Sequence, residues 1–204
     1  MRTMLAMPGT TEPRIAPLPP GEWDDRLRAI LEASPGGTEE PMHIFATLAR
    51  APDLFRRWMG FGGALLYGSL PSRLSEIVIL RTAYRFDGFY EWAQHVEMGQ
   101  GRGVTLEEIE AIGGDTAALD AVAWTPLERA ALRAVDETRE QGGVSDSTWA
   151  ALSEHLDEPG LIELLMLIAH YLMLTTVLRS LRMQPEPRAL AQAGLVRGGP
   201  GPEA

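Results

Sequence analysis

The stretch Arg73-Leu-Ser-Glu76-Ile-Val-Ile-Leu-Arg81-Thr-Ala-Tyr84-Arg-Phe-Asp87-Gly88-Phe-Tyr90-Glu91-Trp92-Ala-Gln-His95 decides how this chain is read. Leu74, Ile77, Val78 and Arg81 share one face at helical spacing, and Ser72 after Pro71 is in position to cap the helix they define. Asp87-Gly88 is a break. A second helix resumes at about Phe89 and runs to about Arg102, setting Glu91 and His95 one turn apart on one face with Met98 beyond. The stretch therefore predicts a helical hairpin with polar groups where burial is expected: Glu76 lies inside the run Leu74 to Leu80, and His95 follows Phe89, Tyr90 and Trp92. A carboxylate raises the pKa of an adjacent imidazole while burial lowers it, so such a pair can be tuned for proton transfer near neutrality. A surface glutamate and a satisfied core histidine would give the same pattern.

Working outward, Glu22 to Ala33 predicts a helix with Trp23, Leu27, Ile30 and Leu31 inward, stopped at Ser34-Pro35-Gly36-Gly37. Met42 to Ala49 is a short helix carrying His43. Asp53 is placed to cap a longer one with the stripe Leu54, Trp58, Phe61, Leu65 and Leu66. Gly60, Gly62 and Gly63 inside it leave room either for a packed helix or for a ligand. Downstream, Gly103 suits a C-terminal cap, and Thr105-Leu-Glu-Glu108 and Thr125-Pro-Leu-Glu128 are capping boxes. They open helices to Ile112 and Glu140, with Asp115 to Trp124 read as a loop. Ser145 or Asp146 caps a helix through His155, and Pro159-Gly160 opens a long apolar helix to about Arg182. No segment shows sustained strand alternation, so the expectation is an all-α bundle of about eight helices. The expected organisation is a Pro-rich N-terminal arm over 1–20, one helical domain over 21–183 and a loosely held Pro/Gly-rich tail over 184–204, with one or two helical turns near Ala189 to Leu195.

Composition narrows the function. With 204 residues the chain buries a substantial core, and its net charge of −10 disfavours nucleic acid or an anionic membrane as the main partner. There is no cysteine, which removes a disulfide framework, a thiolate nucleophile and Cys-ligated zinc. Met1 to Pro20 carries five prolines and two arginines instead of the apolar core of a signal peptide, so the cytoplasm is expected. Leu161 to Leu178 approaches the length of a membrane span, but Glu163 and His170 interrupt it and point to a helix buried on all sides. His43, His95, His155 and His170 are scattered. Glu91-x-x-x-His95 is a two-ligand seed at most, and no metal is expected.

Arg73-Leu-Ser-Glu76-Ile-Val-Ile-Leu-Arg81-Thr-Ala, Tyr90-Glu-Trp-Ala-Gln-His95 and Gly103-Val-Thr-Leu-Glu-Glu-Ile, flanked by Ile44-Phe-Ala-Thr-Leu-Ala-Arg50 and Thr125-Pro-Leu-Glu128, resemble the carboxymuconolactone decarboxylase family, which contains the alkylhydroperoxidase D proteins. The resemblance covers about residues 40–183. It implies an alkylhydroperoxidase D-like helical bundle that assembles as trimers or hexamers, with pockets near subunit contacts. The family's peroxidase branch carries a Cys pair seven and four residues before the His. Here those positions hold Gly88 and Glu91, so thiol peroxidase chemistry lacks its thiol. The decarboxylase branch needs no cofactor and takes a small carboxylic acid. The resemblance then implies His95 and Glu76 as the proton-transfer pair and Arg81 as anchor for a substrate anion. Tyr90 and Glu91 are further proton donors, and Trp58, Tyr84 and Trp92 shape the pocket. His43 and His170 are candidate pocket residues. Each also has an ordinary reading: Arg81 in an internal ion pair, Glu91 as a surface partner of His95, Trp92 in the core. Isomerisation, cyclisation or ring opening, and a non-catalytic oligomeric binding protein, fit the same residues.

Overall fold

The computed structural model describes residues 12–34, 36–194, 196, 199 and 200; the expectations for residues 1–11, 35, 195, 197, 198 and 201–204 lie outside them. Among the described residues the architecture is all-α. A 3-10 turn, Pro20–Glu22, precedes α1 (Asp25–Glu32), α2 (His43–Leu48), α3 (Pro52–Leu66), α4 (Ser72–Arg85), α5 (Phe89–Gly101) and α6 (Leu106–Ile112). There follow α7 (Thr116–Asp120), α8 (Pro126–Gln141), α9 (Asp146–Ser153), α10 (Glu158–Leu181) and α11 (Pro187–Ala193). These eleven exceed the expected eight or so. The added elements include α7, which Asp115 starts by accepting a hydrogen bond from the Ala118 amide in a segment expected to be a loop.

The hairpin is the centre. Every residue of α4 from Leu74 to Ala83 is buried. One side of α4, with Leu74, Val78 and Ile79, packs into a core shared with α8 and α10; the other, with Ile77, Leu80 and Ala83, packs with Trp92, Val96, Ile109 and Leu132. Asp87 turns the chain between α4 and α5 at φ 60°, and the Gly88 amide bonds back to the Ala83 carbonyl at 2.7 Å. Gly99 lets the two helices close up: a Cβ there would stand 3.2 Å from Leu80 Cδ1 and 3.8 Å from Glu76 Cβ.

The capping boxes at Thr105 and Thr125 form as expected, each with its N3 glutamate reaching back to the cap. Ser72 does not cap α4; it is the first helical residue after Pro71. Asp53 likewise lies inside the first turn of α3, which starts at Pro52. Of the expected α3 stripe, Leu65 is buried and Trp58 and Leu66 pack against the core, but Leu54 and Phe61 are 66% and 41% exposed, and Phe55 is buried in the first turn instead. α10 is long and apolar enough to cross a membrane, with half of its apolar window buried. It is not buried on all sides: Ile162, Met166, Met173 and Val177 form an exposed row. Glu163, on the flank of that row, accepts hydrogen bonds from the Ser69 amide and hydroxyl and from the Leu70 amide, fixing the α3–α4 loop.

Among the described residues, the start of the expected C-terminal tail is held by contacts through Glu186. Glu186 is 4% exposed and accepts hydrogen bonds from the Tyr90 hydroxyl, the His43 amide and the Gln94 side chain. That ties α11 down along α5. The described part of the arm, from residue 12 onward, is tied as well, through the Arg14 amide to the Leu181 carbonyl and the Leu18 amide to the Ala46 carbonyl.

Candidate functional site

Glu76 and His95 meet. The carboxylate of Glu76, 0% exposed, accepts the Nδ1 proton of His95 at 2.8 Å across the α4–α5 contact that Gly99 permits. Because an ionised carboxylate only accepts, the ring is the Nδ1–H tautomer when neutral, and Nε2 carries either a lone pair or a transferable proton. His95 itself is 6% exposed, so this exchange takes place at a nearly water-free ring edge. The second oxygen of Glu76 lies 2.9 Å from Nη1 of Arg102, the residue that ends α5. Arg102 in turn lies under the ring of Tyr67, its guanidinium carbon 5.6 Å from the ring centroid.

Aromatic rings extend the site toward α3. His95 meets Tyr171 edge to face at 5.2 Å, Tyr171 meets His170 at 5.4 Å, and His170 stacks on Trp58 at 6.2 Å. Burial pushes the Tyr171 hydroxyl well above its ordinary pKa, with the Glu76 and Glu91 charges adding to the shift, so the phenol stays neutral. Burial lowers His170 to about 4, so its imidazole is neutral at physiological pH. His170 Nδ1 and Trp58 Nε1 are buried without hydrogen-bond partners. A Cβ on Gly62 would stand 3.4 Å from His170 Nε2, which gives one of the three α3 glycines a packing role; Gly60 and Gly63 face open space.

Glu91 is 3% exposed, and neither carboxyl oxygen makes a hydrogen bond. It sits at the start of α5 against Gly88 and α10, where a Cβ on Gly88 would approach Thr175 Oγ1 at 2.5 Å and Glu91 Oε2 at 3.0 Å. Burial pushes its pKa up to about 7, with Thr175 and the Arg179 charge offsetting part of the rise. It is a buried acid poised near neutrality, not the surface partner of His95 that helical spacing also allowed.

The other expected site residues do not join this group. Arg81, 1% exposed, uses four of its five donors internally: Nε and Nη2 on the two carboxylate oxygens of Asp136, each at 2.8 Å, and Nη1 on the carbonyls of Ile112 and Gly114 at 2.8 and 2.9 Å. A guanidinium so occupied has no fork left for a substrate, which corrects its expected role as an anchor. Tyr84 covers Arg81 at 5.4 Å and packs at 6.3 Å against Trp92, which is 1% exposed; both belong to the core on the far side of α4. Tyr90 donates to Glu186 and accepts from the Ile44 amide, so its hydroxyl is a structural strut. His43 donates through Nδ1 to the Gln184 carbonyl at 2.7 Å and belongs to the same strap. Arg102 was missed, yet it continues the Glu91, His95, Met98 face by one further turn.

Comparison with known proteins bears on the family and the fold. A sequence model of the carboxymuconolactone decarboxylase family matches residues 52–137, which include α3, α4, α5 and the Glu76–His95 pair. Over that segment the chain resembles this family. The fold is alkylhydroperoxidase D-like. An alkylhydroperoxidase AhpD core protein, an uncharacterised peroxidase-related protein from Ralstonia eutropha JMP134, superposes with a TM-score of 0.74 at 17% identity, covering 90% of this chain and 98% of that one. The debrominase Bmp8 in complex with 2,3,4-tribromopyrrole gives 0.73 at 15% identity, covering 90% and 97%. A peroxidase-related protein from Silicibacter sp. TM1040 gives 0.73 at 12% identity, covering 94% and 100%. No curated protein matches the sequence.

Proposed function

We propose that this protein is a cofactor-independent enzyme that removes CO2 from a small carboxylated lactone or related cyclic acid, using His95 and Glu76 to move the proton. The observation that carries the reading is the buried 2.8 Å contact between His95 Nδ1 and Glu76, which leaves Nε2 without a protein partner among the described residues. Loss of CO2 leaves an electron pair on carbon, delocalised toward the lactone carbonyl. The imidazolium of His95 delivers its Nε2 proton to that carbon and becomes neutral, and solvent restores the proton. Glu76 stabilises the imidazolium and fixes the tautomer throughout. Glu91, buried and titrating near neutrality, is a second proton source on the same helix.

The neutral ring offers a second reading. With its Nδ1 proton held by Glu76, His95 presents a lone pair at Nε2, and a base in that position favours proton abstraction and isomerisation of the same class of acid. Trapped CO2 separates the two when carboxylated lactones are incubated with the protein: release supports decarboxylation, and an isomer without CO2 supports the second. His95→Gln should lower either rate by about 10²–10⁴-fold while the fold is retained. Unchanged turnover by that variant refutes both, and saturable acid binding without turnover points to a binding protein.

The same reading includes self-association. The exposed row Ile162, Met166, Met173 and Val177 on α10, beside Phe61 of α3, is an apolar face suited to a second copy of the chain.

A further inference from the structure

We propose that Arg102 is the anion-binding residue of this site, and that the ligand it holds is a small flat carboxylate. The inference rests on the proton-transfer reading of His95 and Glu76 only for what happens after binding.

The arginines of the interior divide into two kinds. Arg73 donates to Glu108, Glu128 and the Gly103 carbonyl; Arg81 is saturated by Asp136 and two carbonyls; Arg85 spans Asp136 and Glu140. Each of these guanidinium groups is a fold clamp. Arg102 differs. Its Nη1 is near Glu76 Oε1 at 2.9 Å, but neither atom makes a hydrogen bond of acceptable geometry. Its Nε and Nη2 have no protein acceptor among the described residues. A side chain 18% exposed thus keeps its planar donor edge open, beside the carboxylate that holds His95.

The charge balance suits an incoming anion. Glu76 is buried and shared between Arg102 and the His95 N–H, so the group is neutral with a neutral imidazole and positive with an imidazolium. A carboxylate on the open edge of Arg102 is a fork-to-fork match that ammonium cannot reproduce. The walls select flatness: Tyr67, 76% exposed, lies over the guanidinium, and Tyr171 is edge-on to His95. A guanidinium serving only to neutralise Glu76 would give no preference for a carboxylate over an uncharged ring of the same shape.

The test uses benzoate, with benzamide as its uncharged isostere, titrated into the full chain by NMR. Benzoate should bind saturably, shift the His95 ring signals and exceed benzamide by about tenfold or more. Arg102→Met should abolish that preference. Arg102→Lys, which keeps the charge beside Glu76 but lacks the fork, should weaken benzoate by about tenfold, and guards against a Met variant that does not fold. Equal binding of benzoate and benzamide, no benzoate binding, or a folded Arg102 variant with unaltered benzoate affinity overturns the proposal. His95→Gln separates this from the catalytic reading, since it should keep benzoate affinity within about threefold while losing turnover. If it keeps turnover while the Arg102 results hold, the catalytic assignment fails and the anion site stands.

Discussion

Replacing Glu91 with Gln should stabilise the protein above neutral pH and have a much smaller effect, about 1 kcal/mol, at about pH 5. Burial raises the Glu91 pKa from 4.5 to about 7, against Thr175 and Arg179, which act in the opposite sense. The folded chain therefore holds a proton that the unfolded chain releases, and stability falls as pH rises between those values. Above pH 7 the full cost applies: a shift of about 2.5 units at 1.36 kcal/mol each is roughly 3 kcal/mol. Gln keeps the shape without the charge and avoids it. His170, lowered to about 4, acts with the opposite sign, because its unfolded form takes up protons first as pH falls below 6.5. That contribution is common to both proteins and cancels in their difference. Urea unfolding followed by tryptophan fluorescence at about pH 5, 6, 7 and 8 gives the difference directly. It should grow from about 1 kcal/mol at pH 5 to roughly 3 kcal/mol at pH 8 in favour of Glu91→Gln. A difference that stays flat across this range would refute the claim that burial outweighs Thr175 and Arg179 at Glu91.

Three further outcomes follow from named contacts. Arg81→Met should destabilise the protein by about 3–5 kcal/mol in urea unfolding, because Asp136 loses its forked partner and two buried carbonyls lose their donor. Glu186→Ala should cost about 1–3 kcal/mol by leaving Tyr90, His43 and Gln94 donors unpaired, with faster amide exchange confined to the segment from Gln184 to Ala193. In light scattering the chain should run as an oligomer, and Met166→Glu with Met173→Glu should reduce it to a smaller species; a monomer at the outset contradicts the role given to the α10 face.

The hairpin was legible because its signals are local. The helix over Leu74 to Arg81, the Asp87-Gly88 break and the two capping boxes each act within a few residues and form as read, although Ile77 packs on the opposite side of α4 from Leu74 and Val78. Glu76 and His95 stood out as polar groups among apolar neighbours. Arg81 was misassigned because its partner Asp136 lies 55 residues away, and no sequence pattern joins the two. Glu186 was hidden for the same reason, in a Pro/Gly-rich stretch with no apolar periodicity of its own. In the first turn of α3 Leu54 and Phe55 are both chemically reasonable inward residues, and packing against Trp23, Leu27 and Leu31 selects Phe55 over Leu54. The exposed row on α10 could not be told from a buried face, because an all-apolar helix shows no polar side.

Turnover in D2O tests the central claim most directly. With a carboxylated lactone as substrate, the wild-type protein should release CO2 and give product bearing one deuterium on the carbon that lost it. Folded His95→Gln should give neither above background. Wild-type rates and the same deuterated product from His95→Gln would contradict proton transfer through the Glu76–His95 pair.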